Sequence, residues 1–150
     1  MSSNTFIFLL FALVAGAMIP TQAAVNNKMA ATLDSTALAA LISFFIGTLA
    51  LFVYTILSGT PIAALALAKD APAVAWVGGL LGAFFVTASI ALIPRLGVPM
   101  TFSLIVAGQM LASLVIDHFG LLGQEVKEIN LARVAGILLI TAGVVLIRRF

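Results

Sequence analysis

Residues 35–57 read STALAALISFFIGTLALFVYTIL, twenty-three positions without one charged side chain. A helix needs about 20 consecutive apolar residues to cross the hydrocarbon core of a bilayer, so this stretch predicts a transmembrane span. Working outward, a comparable run precedes it at 6–25, and three follow at 71–93, 98–116 and 131–147. The composition agrees: 63% of residues are hydrophobic and only 8% charged, whereas an ordinary soluble domain is about 25% charged. The expected fold is therefore all-α, a single polytopic membrane domain over 1–150 with five transmembrane helices. Little chain is left for a soluble module.

The first run invites a second reading, as a signal peptide with Thr21-Gln22-Ala23 as a weak cleavage site. No Lys or Arg precedes it and the run is longer than a usual signal core, so it reads as a retained span. The absence of cysteine excludes disulfides and thiol chemistry. A net charge of +2, scattered over loops and the C-terminus, offers nucleic acid no basic run.

The breaks carry boundary chemistry. Asn26-Asn27-Lys28 is expected to close the first span, and Asp34-Ser35-Thr36 supplies cap candidates for the second. Pro61 cannot continue the second helix, because it lacks the amide hydrogen. The stretch from there to Asp70 reads as a short, weakly polar connection. Pro94-Arg95-Leu96-Gly97-Val98-Pro99 reads as a tight turn between the third and fourth spans. Gly120 to Asn130 is the most hydrophilic loop, with Asn130 positioned to cap the fifth helix and Arg133 able to snorkel to the interface.

Polar residues inside the spans are few and spaced regularly. Gln109, Ser113 and Asp117 lie four apart, so on a helix they form one ladder. Gln22 and Asn26 repeat that spacing just beyond Pro20, whose ring removes a hydrogen bond to the Gly16 carbonyl and kinks or loosens the helix. Polar groups at membrane depth are costly and mark functional positions or interhelical bonds. Gln109 fits either a packing bond or a substrate contact; Asp117 with His118 fits either an interfacial helix end or a coupling pair. Small residues also fall in register: Ala39, Ser43, Gly47, Ala50 and Tyr54 on the second span, Gly78 and Gly82 on the third, Gly108 on the fourth, Gly136 and Gly143 on the fifth. Helices in lipid associate by close backbone approach, so these positions are expected packing seams. Trp76 is expected to anchor the third helix at the membrane interface.

Nucleophile elbows, phosphate loops, HExxH and carboxylate pairs are all missing, which argues against an enzyme and against any bound metal or cofactor. The first three spans also lack an acid, a base or a histidine between their ends, leaving Asp117 and His118 as the only candidates for proton coupling.

Taken in order, Pro20-x-Gln22-x3-Asn26, Ser43-Phe44-x2-Gly47, Trp76-x-Gly78-Gly79-x2-Gly82, Pro94-x2-Gly97 and above all Gly108-Gln109-x3-Ser113-x3-Asp117-His118-Phe119-Gly120 resemble the YdcZ-type membrane family of the drug/metabolite transporter superfamily. The resemblance spans essentially the whole chain. It implies a small five-helix inner-membrane transporter or exporter, with relatives that occur singly, in pairs and as fused ten-helix chains. Small multidrug resistance proteins place a Glu in the first helix; this chain has none there, so their proton-antiport mechanism does not carry over.

The function these readings predict is export of a polar or weakly charged small molecule by an antiparallel homodimer, a ten-helix inverted-repeat bundle, with Gln22, Asn26, Ser43, Gln109 and Ser113 lining a shared cavity and Asp117 and His118 coupling or gating it. The alternative is a non-transporting assembly subunit whose polar residues are packing glue. The antiparallel expectation comes from charge. Lys69, Lys127 and Arg133 fall on one side of a five-span protein, and Lys28, Arg95, Arg148 and Arg149 on the other. Orientation follows the Lys and Arg bias, and three against four is almost none.

Overall fold

The computed structural model describes residues 3–149; the side chains of residues 3, 4 and 148, the last among the charges counted above, lie outside the described ones. Five helices account for nearly all of it: α1 Ser3–Leu33, α2 Thr36–Leu57, α3 Ala73–Leu96, α4 Val98–Phe119 and α5 Leu131–Arg149. Four contain segments long and apolar enough to cross a membrane, and the fifth carries a shorter apolar stretch, Leu131–Ile147. By contacts the chain divides into two compact units, one up to Pro94 and one from Arg95.

In the first unit α1 does not close at Asn26-Asn27-Lys28 but runs on to Leu33. Polar side chains alone do not end a helix; a change of backbone conformation does. That change comes at Asp34, which turns left-handed with φ 49°, and the Ser35 amide then donates to the Ala30 carbonyl at 3.2 Å. This is the hydrogen-bond pattern of a Schellman stop, with Asp in the place usually held by Gly. Ser35 at once caps α2, its hydroxyl accepting from the Leu38 amide. A two-residue connection makes α1 and α2 an antiparallel hairpin. The stretch after Pro61 is also more regular than its composition suggested, a 3-10 helix over Ile62–Asp70.

The core of this unit is small. Ala30, Ala39, Ala40 and Ile90 are buried together, with Val86 packed against them, so alanines set the close approach that lipid-embedded helices need. The Phe44 ring lies 3.5 Å from where a Cβ on Gly82 would stand. Pro94, inside α3, has no amide hydrogen to offer the Ile90 carbonyl four residues earlier; the Asn27 side-chain amide donates to that carbonyl instead, at 3.2 Å. An unpaired carbonyl in hydrocarbon costs several kcal/mol, which gives Asn27 a structural task.

The expected turn at 94–99 narrows to one residue. Helix runs up to Gly97 and on from it, and Gly97 alone is non-helical at φ 75° and ψ 163°, a region open to essentially no residue but glycine. In the second unit, Thr101 is fully buried and its hydroxyl donates back to the Gly97 carbonyl at 2.7 Å. Gly120, left-handed at φ 60°, ends α4. A Cβ there would come within 2.8 Å of Val126. The loop then folds under the helix end, the Lys127 amide donating to the Asp117 carbonyl at 2.9 Å. Asn130 caps α5 as expected, its side-chain oxygen accepting from the Arg133 amide at 2.9 Å. Most large apolar side chains remain exposed, among them Phe6, Phe8, Phe11, Leu57, Phe84 and Leu139, the surface expected of helices whose solvent is lipid.

Candidate functional site

The polar residues picked out in the sequence fall into two clusters, one in each unit. In the first, Asn26 is buried and its side-chain amide donates to the Ser43 hydroxyl at 3.0 Å, joining α1 to α2. Both line a groove of about 610 Å³ together with Lys28, Thr32, Met29 and Ile42. Gln22, one turn earlier, is exposed and stands apart from the groove. Pro20 sits within the continuous run of α1, and the Thr21 hydroxyl beside it donates to the Ala17 carbonyl.

The second cluster is built on α4 and α5. Gln109 and Ser113 are exposed; Gln109 has no hydrogen-bond partner among the described residues, and the Ser113 hydroxyl bonds only locally, to the Met110 carbonyl. Asp117 pairs with Arg133, Nη1 to Oδ2 at 3.3 Å, each side chain one-third exposed. The same Nη1 donates to the Lys127 carbonyl at 3.4 Å, tying the loop to the start of α5. Ser113, Asp117 and Arg133 share a recess of about 240 Å³ with Met110, Leu114, Gly136, Ile137 and Ile140. Arg133, expected to snorkel toward the interface, also pairs with Asp117 there. A sequence signal for the pair existed: an acid at the end of one apolar helix and a cation at the start of the next.

His118 stands half-buried with Nδ1 shielded and unpartnered, its ring edge-on to Phe119 at 4.8 Å. Of the glycines expected at packing seams, Gly82 meets Phe44, whereas a Cβ on Gly47, Gly78, Gly108, Gly136 or Gly143 would meet nothing within 4 Å. Trp76 is exposed. Among the described residues no three His, Asp or Glu side chains gather as a metal site would require.

Residues 7–146 match the model of a protein family described as "Putative inner membrane exporter, YdcZ". No curated protein and no solved structure matches the chain.

Proposed function

Because the chain belongs to the YdcZ inner-membrane family, we propose that it exports a polar or weakly charged small molecule by alternating access at the interface of an antiparallel homodimer. The observation that carries this reading is Gln109: an amide exposed on an apolar helix, with no partner among the described residues. A polar group left in hydrocarbon is expensive, so it calls for a partner chain or a wet cavity. Five helices are too few to rock one repeat against another around a central site; a second, inverted copy supplies the missing repeat. Gln22, Asn26 and Ser43 of one copy then meet Gln109 and Ser113 of the other, with Asp117 and His118 at the gating end. The cargo leaves chemically unchanged, and no cofactor takes part.

A second reading, a non-transporting assembly subunit, draws on the Asn26–Ser43 and Asn27–Ile90 bonds, which are packing contacts. Uptake into proteoliposomes, measured with a panel of polar metabolites, separates the two. Export predicts flux that Gln109→Leu removes; flux indifferent to that change sinks the cavity. The antiparallel dimer has its own check, since the chain contains no cysteine. A single Cys placed near Gln124 labels from outside in about half the molecules if orientation follows the unbiased charge count, and in all or none if topology is fixed.

A further inference from the structure

In the α4–α5 recess both charges keep one side unused. Asp117 engages Arg133 through Oδ2 alone and Arg133 answers through Nη1 alone. Among the described residues neither Asp117 Oδ1 nor Arg133 Nε or Nη2 has a hydrogen-bond partner. A guanidinium carries five N–H donors and favours two-point contact with a carboxylate, so a one-point contact at 3.3 Å leaves most of its capacity open. Ser113, whose hydroxyl proton goes to the Met110 carbonyl, still offers its oxygen as an acceptor.

The surroundings restrict what could use that capacity. Met110, Leu114, Ile137 and Ile140 make the wall apolar, and Gly136, one turn along α5 from Arg133, keeps the space clear. At about 240 Å³ the recess lies below the 300–1,000 Å³ usual for drug-sized ligands. A ligand with one charge gains little, because any group drawn to Arg133 stands beside Asp117 and is repelled by it, and the reverse holds for a cation. A ligand carrying both charges satisfies both.

We infer that this recess binds a small zwitterion with an apolar side chain, its ammonium on Asp117 Oδ1 and Ser113 and its carboxylate on the free nitrogens of Arg133. The inference rests on the export reading for its purpose and names a substrate class for it. The binding is measurable without transport.

The test is calorimetric titration of the purified protein in lipid nanodiscs with three probes: L-leucine, isoamylamine, which is leucine without the carboxylate, and 4-methylpentanoate, which is leucine without the amine. Leucine is expected to bind saturably, and each half-probe at least about tenfold more weakly, since each loses a charge-assisted bond. Arg133→Gln and Asp117→Asn should each remove leucine binding. If either fails to fold, Gly136→Leu decides, because it fills the recess from a helix position where an added Cβ meets no atom and leaves both charged side chains in the sequence. Half-probes that bind as tightly as leucine, leucine binding that survives Gly136→Leu, or no binding to the unmodified protein would each overturn the inference. Leucine that binds while neither it nor any of the polar metabolites is moved in proteoliposomes overturns the export reading alone; Gln109-dependent flux of other metabolites without leucine binding overturns the zwitterion site alone.

Discussion

Asn26 and Gln109 are both amides on apolar helices, and the protein treats them oppositely. Asn26 is buried at 8% exposure and bonded to Ser43, with Asn27 beside it bonded to the Ile90 carbonyl. Gln109 is exposed, and the ladder that continues from it ends in charges with unused valence. Asn26 and Asn27 are consumed by folding; Gln109 is left available. A side-chain amide on an apolar helix therefore supports two different roles, and only the hydrogen-bond inventory of the neighbouring helices tells them apart.

The largest effect should come from removing a donor that folding uses. Asn27→Leu strands the Ile90 carbonyl in the interior of the first unit, and a buried acceptor left unsatisfied costs about 1–3 kcal/mol. The cause can be isolated. Pro94→Ala restores the amide hydrogen that the helix itself would donate to Ile90, so the double variant Asn27→Leu with Pro94→Ala should recover most of the loss in a thermal melt in detergent. A double variant as unstable as Asn27→Leu alone would show that Asn27 acts through something other than this carbonyl.

A smaller effect sharpens the contrast directly. Asn26→Leu removes one interhelical hydrogen bond, worth about 0.6 kcal/mol on average in membrane proteins, and should lower the melting temperature slightly. Gln109→Leu touches no folding bond and should leave the melting temperature unchanged while abolishing flux. Equal stability losses in the two variants would erase the distinction drawn between the clusters.

Much of this was readable from sequence, and the limits have physical reasons. Apolar runs depend only on local composition, so they located all five helices. Ser35 and Asn130 were readable as caps because capping is a contact over three residues. Asn27 looks like a helix end in the sequence because its partner lies 63 residues away in α3, and the clue, a carbonyl orphaned by Pro94, exists only once Pro94 is placed inside a helix rather than in a turn. The end of α1 is hidden in the sequence for a related reason: the residue that stops it, Asp34, also has the side chain of a cap for the next helix. The spacing of Gln109, Ser113 and Asp117 marks them as a set, but Arg133, sixteen residues from Asp117 across a folded loop, looks in the sequence like an interfacial cation.

The smallest effect on folding is expected at Gly78, one of two glycines of a single stripe. Gly78 and Gly82 lie one turn apart on α3, yet Phe44 of α2 covers Gly82 while Gly78 faces open space. A leucine at 82 must displace the Phe44 ring, so Gly82→Leu should destabilise the first unit, overpacking costing about 1–3 kcal/mol. Gly78→Leu should leave folding unchanged or slightly improved, since glycine is a poor helix residue by about 1 kcal/mol relative to alanine. Its effect should appear instead in association, because a seam that is empty within one chain and lies among exposed apolar residues is the close-approach surface a second copy would use. Mass measurement in detergent reads this outcome: the unmodified protein and Gly82→Ala as dimers, Gly78→Leu as a monomer with an intact melt. If Gly78→Leu remains dimeric, this face of α3 belongs to lipid, and the homodimer must be built on another helix.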